Sequence, residues 1–177
     1  WRSRIVSNTA NADPSSTYYS YGGGVFVRNA TTLLETSEIV RNAGSTAGVG
    51  GHGGGVYLYS VTHADVLTNT IRANEGSAHN FNGVGGGLFI FGSNAHVSGN
   101  LIEGNWTASN WAGYGGGIYI SSKSEVHLSR NRIISNATAP AVSGWLAPGG
   151  GVYVSSSEPV LLSNNLIARN TASSAAG

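Results

Sequence analysis

Short stretches in which every second residue is apolar recur along the whole chain, separated by glycine and polar residues. An alternation with a period of two is typical of β-strands that bury one face. Three such stretches recur in a fixed order. Their predicted inward-facing residues are Val25/Val27, Val56/Leu58, Leu88/Ile90, Ile118/Ile120 and Val152/Val154 in the first, Thr32/Leu34, Ala64/Val66, Ala95/Val97, Val126/Leu128 and Val160/Leu162 in the second, and Ile5, Ile39, Ile71, Ile102, Ile133 and Ile167 in the third.

Two sequence motifs mark the same repeat. Three glycines followed by aliphatic, aromatic and aliphatic residues occur five times, with starts 31, 32, 30 and 34 residues apart. A second motif, Asn/Ser-x-Ile-x-x-Asn, closes 20 or 21 residues after each triple glycine, and 9 to 13 residues separate it from the next one. Each repeat therefore has a constant core and one variable loop. The predicted coils begin at residues 22, 53, 85, 115 and 149, after a partial coil over 1–21.

One repeat cannot bury three strand faces alone, whereas stacking identical repeats at the inter-strand spacing of about 4.8 Å buries all three together. The sequence thus predicts an all-β parallel β-helix of three strands per coil and about five coils of about 32 residues. We expect residues 1–177 to form a single segment of a longer chain. Neither end contains an amphipathic helix that would cap the coils, so we expect no caps in this segment.

Asparagine recurs at two bends of the predicted coil. A side-chain amide there can bond to the amide one coil away and satisfy backbone groups that a ladder leaves open. We expect two structural stacks, one of Asn8, Asn42, Asn74, Asn105, Asn136 and Asn170, and one of Asn69, Asn100, Asn131 and Asn165 with Ser37 in the first coil.

Composition narrows the class of protein. Only 10% of the residues are charged, the net charge is +1, and the Lys and Arg residues are scattered, which disfavours nucleic-acid binding. No run of 18 apolar residues exists, so no membrane-spanning helix is expected in this segment. Cysteine is absent, which excludes disulfides and thiolate metal sites. We expect no cofactor and an extracellular or cell-surface location.

A glycine-glycine-x-aliphatic motif paired with a later x-x-Asn motif resembles the repeats of polymorphic outer-membrane proteins and related bacterial adhesins. These repeats belong to the right-handed parallel β-helices of the pectin-lyase-like superfamily, and the resemblance covers essentially the whole chain. It implies a right-handed solenoid, which the general preference for right-handed crossovers also favours. The chain departs from the adhesin repeat because its Ile5, Ile39, Ile71, Ile102, Ile133 and Ile167 stand where that repeat usually has Phe.

The positions of the carboxylates and histidines indicate one candidate functional site. No two of the eight carboxylates occupy the same outward position on adjacent coils, so we expect no acid–base cluster and no enzyme activity in this segment. Asp65, His96 and His127 share an outward position on three successive second strands. Stacked imidazoles beside a carboxylate could bind Zn²⁺, Ni²⁺ or Cu²⁺. The alternative is a solvated face whose polar residues happen to stack.

Aromatic residues form a second distinctive surface. A stripe of outward-facing rings is predicted at Phe26, Tyr57, Phe89, Tyr119 and Tyr153. Such a stripe is either a stabilising ladder or a contact surface for lateral association or sugars. The variable loops carry further aromatic residues, which either bind a partner or pack back over the sheet: Tyr18, Tyr19, Tyr21, His52, Phe81, Trp106, Trp111, Tyr114 and Trp145.

These observations favour a non-catalytic extracellular structural or adhesive solenoid, such as a surface stalk or a filament subunit. The partner would be a second copy, end to end or laterally, or flanking parts of the same chain. The alternative is a carbohydrate-binding or polysaccharide-degrading β-helix, with a glycan along the aromatic stripe or the loop edge. Fold alone does not choose between them.

Overall fold

The computed structural model describes residues 2–13, 15–47, 50–77, 83–108, 113–138, 146–156 and 158–174. These residues form strands, turns and bends, and in this described part of the chain no helix is long and apolar enough to cross a membrane. The strands stack coil upon coil in parallel sheets, as the sequence predicts. The parallel β-solenoid fold is thereby confirmed.

Three principal sheets enclose the core. Sheet 1 contains Val25–Arg28, Val56–Tyr59, Leu88–Phe91, Ile118–Ser122 and Val152–Ser156. Sheet 2 contains Thr31–Glu35, His63–Leu67, Ala95–Ser98, Val126–Ser129 and Val160–Ser163. Sheet 3 contains Arg4–Val6, Glu38–Val40, Thr70–Arg72, Leu101–Glu103, Arg132–Ile134 and Leu166–Ala168.

The strand register stacks equivalent residues of successive repeats. Leu88 of sheet 1 lies between Val56 and Ile118, and Ile102 of sheet 3 lies between Ile71 and Ile133. The inward-facing residues of the central coils are fully buried and form one continuous apolar core. Because a slip of one residue would turn every inward side chain to solvent, this alternation fixes the register.

The coil contains two short sheets that the pattern of apolar residues did not predict. Sheet 4 is formed by Thr9–Asn11, Ala43–Ser45, Glu75–Ser77 and Trp106–Ala108, and sheet 5 by Ser20–Tyr21, Gly51–His52, Gly83–Val84 and Gly113–Tyr114. In addition, Leu146–Ala147 pairs antiparallel with Ser173–Ser174. The prediction of three strands per coil is therefore corrected to five in the central coils, because part of each variable loop joins the stack.

Sheets 4 and 5 face each other across a very thin layer. A Cβ atom added to Gly83 of sheet 5 would overlap the carbonyl group of Thr107 of sheet 4, and one added to Gly51 of sheet 5 would lie 2.0 Å from the carbonyl oxygen of Gly76 of sheet 4. The side chains of Ser77 and Thr107 are fully buried there. This end of the coil thus closes backbone against backbone, and only small residues fit between its walls.

The asparagines at the two bends of each coil form ladders that run through the solenoid. Asn42 donates a hydrogen bond from its backbone N–H to Oδ1 of Asn74, and the next two links of the same ladder join Asn74 to Asn105 and Asn105 to Asn136. In the second ladder, Ser37, Asn69, Asn100, Asn131 and Asn165 are joined in the same way. Each asparagine of the central coils also donates from Nδ2 to a backbone carbonyl of the preceding coil.

A third ladder, made of serines, lies at the bend between sheets 1 and 2. The N–H of Val61 donates to Oγ of Ser93 at 2.9 Å, Ser93 N–H donates to Oγ of Ser124 at 3.1 Å, and Ser124 N–H donates to Oγ of Ser156 at 2.9 Å. The sequence does not reveal this ladder, because serine is common throughout the chain and Val61 stands in place of a serine in the second coil. Its spacing is also irregular, because Ser93 and Ser124 lie two residues after a first strand whereas Ser156 is the last residue of one.

Candidate functional site

The predicted aromatic stripe is a stack of rings on the outer face of sheet 1. Its five rings follow one another with centroid separations of 5.3, 4.6, 4.9 and 5.3 Å and interplanar angles of 24°, 5°, 4° and 19°, in the order Phe26, Tyr57, Phe89, Tyr119 and Tyr153. Parallel register imposes this arrangement, because equivalent residues of adjacent coils lie side by side.

Flanking aromatic residues cover the centre of the stripe. Tyr59 and Phe91 stack on one side at 5.4 Å, and His52 lies on the other side with its ring 5.6 Å from that of Phe89. As a result, Tyr57 and Phe89 are each only 3% exposed although they point away from the core. Burial raises the pKa of the Tyr57 hydroxyl well above its usual range. The centre of the stripe is thus a second packed layer.

The first coil leaves its part of the stripe open. Phe26 is 42% exposed, and Tyr18, Tyr19 and Tyr21 are also exposed. We call these four residues the aromatic patch. A concave site of about 180 Å³ lies beside it, lined by Tyr21, Phe26, Arg28, Tyr57 and Tyr59. The guanidinium carbon of Arg28 lies 5.3 Å from the centre of the Tyr59 ring, which adds a cation–π contact to this site.

The other loop aromatics divide between packing and exposure. Tyr114 packs on Tyr119 and Tyr153, at 5.9 and 5.5 Å. Trp106 is exposed beside the half-buried Glu75, whose pKa is raised by burial and partly lowered by the hydrogen bond from Trp106. Three further aromatics lie outside the described residues, so their role stays a prediction: Phe81, Trp111 and Trp145.

His52 occupies an unusual environment within the aromatic layer. Its ring lies 5.0 Å from that of Tyr19, 5.5 Å from that of Tyr21 and 6.0 Å from that of Tyr57. Its Nδ1 atom is buried and has no hydrogen-bond partner among the described residues. Burial lowers the pKa of His52 to about 4. This imidazole is therefore neutral at physiological pH.

A groove of about 270 Å³ lies on the outer face of sheet 2, lined in part by His63, His96, Glu125 and His127. The register places Asp65 beside His96, and His96 beside His127. The imidazoles of His96 and His127 are neighbours, with ring centroids 5.6 Å apart and ring planes tilted by 33°. The predicted shared column of the three residues is therefore present.

The side chains of this column do not converge on one point. Nδ1 of His96 lies 3.6 Å from Oδ1 of Asp65, whereas Nε2 of His127 pairs with Oγ of Ser163 at 3.1 Å. Within the part of the chain that the structure describes, no three His, Asp or Glu side chains are grouped so that they could hold a metal ion. The imidazoles of His96 and His127 are tilted by 33° and direct their nitrogens to different neighbours, and the metal site at Asp65, His96 and His127 stays a prediction.

Two contacts of the side chains in this column are not evident from the sequence. Nε2 of His63 contacts Oδ2 of Asp65 at 3.2 Å, and Oγ of Ser129 lies 3.4 Å from Nε2 of His96. The sequence does not single out Ser129, because this residue follows the apolar alternation of its strand as an ordinary outward polar residue. Of the carboxylates within strands, none stands opposite another carboxylate in the described register.

Comparison with known proteins identifies the family. A family model described as a right-handed beta helix region matches residues 5–176. Searches of curated proteins and of solved structures give no significant match. The match is consistent with the pectin-lyase-like superfamily, whereas the likeness to adhesin repeats stays a prediction. With a family match over nearly its whole length and a parallel β-solenoid as its structure, the chain belongs to the right-handed β-helix family.

Proposed function

We propose that this chain is a structural and adhesive segment of an extracellular β-solenoid, and that its role depends on a rigid body with a contact surface. The observation that carries the proposal is the set of three ladders, which satisfy the buried polar groups of one coil with those of the next. Buried polar groups cost stability unless they are paired, so continuous ladders favour a rod that does not open between coils.

Rigidity can be tested by hydrogen exchange on the native chain. The N–H groups of Asn74, Asn100 and Asn105 donate to buried ladder oxygens and should exchange only on global unfolding. Exposed N–H groups at the first coil should exchange faster by orders of magnitude. Rapid exchange at the ladder positions would contradict a structural role for the solenoid.

The contact surface of this proposal is the aromatic patch. Exposed apolar patches on soluble proteins usually mark interaction sites. The patch differs from the rest of the stripe because its rings are open to solvent, whereas those of Tyr57 and Phe89 are covered. Lateral or end-to-end association of copies would use such a surface, and sedimentation velocity over a range of concentrations measures that association.

A carbohydrate is the second candidate partner, favoured by the concave site beside the patch. Its apolar rings can stack on the C–H face of a sugar, and Arg28 and the tyrosine hydroxyls offer donors for sugar oxygens. Ligand sites commonly combine apolar walls with a few polar groups in this way. The site is small, so one or two sugar units would fill it.

The two partners are separated by a glycan array and sedimentation velocity on the same variants. Replacing Tyr21 and Phe26 by Ser should abolish glycan binding or self-association, whichever the native chain shows. Leu33→Ser is the matched control, because Leu33 is also exposed in the first coil but lies on sheet 2. Unchanged binding in the double variant, or an equal loss in the control, would contradict the assignment of the patch.

A further inference from the structure

His52 contacts two pairs of aromatic residues that differ in how firmly the solenoid holds them. Its ring lies 6.0 Å from that of Tyr57 and 5.6 Å from that of Phe89, and both of these residues are only 3% exposed. Its ring also lies 5.0 Å from that of Tyr19 and 5.5 Å from that of Tyr21, which are 43% and 46% exposed. The first pair belongs to the packed centre of the stripe, whereas the second pair belongs to the aromatic patch.

The exposed pair is attached to an edge of the structure. The strand Ser20–Tyr21 forms the edge of sheet 5 and lies beside the strand that contains His52. The N–H of Ser20 donates to the carbonyl of Gly50 at 3.1 Å, and the N–H of Gly22 donates to the carbonyl of His52 at 2.8 Å. A two-residue strand at an edge is among the parts of a sheet that open at the lowest cost. Release of this strand is therefore the easiest way to bring water to His52.

A proton on His52 has no place in the closed arrangement. The Nδ1 atom of this imidazole is buried and has no hydrogen-bond partner among the described residues, which a neutral ring with its proton on Nε2 tolerates. The protonated ring has an N–H at both nitrogens and a positive charge, and burying them unpaired is costly. Burial accordingly lowers the pKa of His52 to about 4. Uptake of a proton thus favours an opening that brings water to Nδ1.

The groups that surround His52 do not change their own charge in acid. Among the described residues, the titratable side chains in ring contact with it are Tyr19, Tyr21 and Tyr57, whose hydroxyls are uncharged in acid. Arg28 lines the concave site together with Tyr21 and Tyr57, and its guanidinium is positive throughout. No carboxylate in the described part of the chain forms an ion pair with His52. The response of this site to acid is therefore that of His52.

We propose that His52 is a pH-sensitive switch of the aromatic patch. When its imidazole takes up a proton, the strand Ser20–Tyr21 detaches from sheet 5, and three of the four rings of the patch leave the contact surface. Phe26 stays in place because it belongs to sheet 1. The loss of binding that follows rests on the proposed contact function of the patch, whereas the detachment of the strand does not. No covalent bond changes, so the strand returns when the pH rises.

The direction of the response follows from the two protonation states of His52. In the open form the imidazole is in water and takes up a proton at its ordinary pKa of 6.5, whereas in the closed form it does so only near 4. The closed form is therefore favoured above pH 6.5, and this preference is lost as the pH falls from 6.5 towards 4. Between pH 7 and pH 5 the ratio of open to closed molecules should rise about 20-fold.

Hydrogen exchange on the native chain tests the detachment of the strand. After correction for the intrinsic exchange rates, the N–H groups of Ser20 and Gly22 should lose about 20-fold in protection between pH 7 and pH 5. The N–H of Thr36 donates to the carbonyl of Leu67 at 3.1 Å at another bend of the first coil and should show no such loss. Low concentrations of urea should leave the exchange of Ser20 and Gly22 unchanged, because a local opening exposes little surface.

Substitutions assign the response to the imidazole. His52→Phe and His52→Leu both remove the titrating group, so neither variant should show the pH-dependent loss of protection at Gly22. Two variants of different size are compared so that a poor fit of one side chain does not decide the result. Tyr21→Phe is the matched control, because it keeps the ring and removes only the hydroxyl, and it should retain the loss of about 20-fold.

Binding is measured on the same samples, with the glycan or the second copy that the native chain binds at pH 7. Its apparent affinity should fall in proportion to the fraction of closed molecules that hydrogen exchange gives, and it should not fall in His52→Phe. Constant protection at Gly22 in the native chain, an equal loss in both His52 variants, or an equal loss at Thr36 would overturn the switch. A chain that shows the exchange response but binds no partner at pH 7 would support the switch and contradict the contact function.

Discussion

Asn74 donates two hydrogen bonds to the Oδ1 atom of Asn105, one from its backbone N–H and one from its side-chain Nδ2, each at 2.9 Å. Nδ2 of Asn74 also donates to the carbonyl of Ile39 at 2.9 Å, so one side chain connects three coils. The same direction is repeated along both asparagine ladders. Within a ladder, each inner member therefore forms hydrogen bonds with two neighbouring members, whereas the first member forms them with one.

The direction of these hydrogen bonds predicts that substitutions at different positions of the ladder differ in their cost to stability. Asn105→Ala removes the acceptor of two donors from Asn74 and leaves the carbonyl of Ile71 without its side-chain donor. Because each unsatisfied buried group costs about 1–3 kcal/mol, we expect a loss of about 3 kcal/mol or more in the free energy of unfolding. Asn8→Ala, at the exposed start of the ladder, should cost less than about 1.5 kcal/mol. Urea unfolding followed by circular dichroism compares them, and equal losses would contradict the ladder's polarity.

Replacing glycine by alanine should cost more stability where the added Cβ would clash with another coil than where it only strains the backbone. A Cβ atom on Gly54 would overlap the backbone of Glu75, whereas a Cβ on Gly104 would meet nothing within 4 Å, although Gly104 has a φ of +60°. We expect Gly54→Ala to cost about 3 kcal/mol or more, because the two backbones must separate. Gly104→Ala should cost about 1–2 kcal/mol from the left-handed conformation alone. Thermal unfolding midpoints check the order, and a tolerated Gly54→Ala would contradict the close approach.

The aromatic stripe predicts unequal effects along its length. Phe89 is buried between the rings of Tyr57 and Tyr119, at 4.6 and 4.9 Å, so Phe89→Ala should lower the free energy of unfolding by about 3–5 kcal/mol. Phe26 is 42% exposed and stacks on one ring of the stripe, so Phe26→Ala should cost about 1 kcal/mol. Urea unfolding gives both values. A small effect at Phe89 would mean that the stripe is not a packed layer.

His52 predicts a loss of stability in mild acid. Its pKa falls from 6.5 to about 4 on folding, so the unfolded chain takes up the proton first and stability declines as the pH drops from about 6.5 to 4. The decline attributable to His52 is about 3 kcal/mol, since one pKa unit corresponds to about 1.4 kcal/mol. His52→Phe should remove this part of the pH dependence and stabilise the chain at pH 5 relative to the native protein.

The pH dependence attributable to His52 is obtained as the difference between the native chain and His52→Phe, so that contributions common to both chains cancel. The free energies of unfolding of both chains are measured at pH 7.5, 6, 5 and 4. The value for the native chain should fall more steeply towards pH 4 than the value for His52→Phe. His63→Gln serves as a control, because His63 is exposed and its removal should leave the contribution of His52 intact. Identical pH profiles for the native chain and His52→Phe would contradict the burial of the neutral imidazole.

Much of the core could be predicted from the sequence because the same burial and hydrogen-bonding requirements repeat in every coil. Ile71 and Ile102 were assigned to the interior by alternation and by the repeat, and both are fully buried. Asn74 and Asn105 were assigned to a bend by their fixed distance from the triple glycine, and they bond to each other there. In each case every coil has the same energetic requirement at the equivalent position, so the same amino acid recurs there in each repeat.

The candidate sites were less accessible because they depend on side-chain directions. The column of Asp65, His96 and His127 was predicted, but the contact of Ser129 with His96 depends on rotamers that the repeat does not encode. Likewise, the aromatic rings were placed on one face, whereas the burial of Phe89 results from flanking residues such as His52 and Phe91.

By itself, the sequence determined the repeat, the strand alternation, the asparagine positions and the continuous aromatic stripe. Each of these features recurs with the period of the repeat, because stacked identical coils require the same residue type at equivalent positions. Tertiary structure decided the two short sheets of the variable segments, the serine ladder and the burial of His52. These features arise where the backbone folds back on itself and small residues such as Gly83 and Thr107 meet without an apolar pattern. Contacts of that kind depend on distances between coils, and a linear pattern of hydrophobicity does not record them.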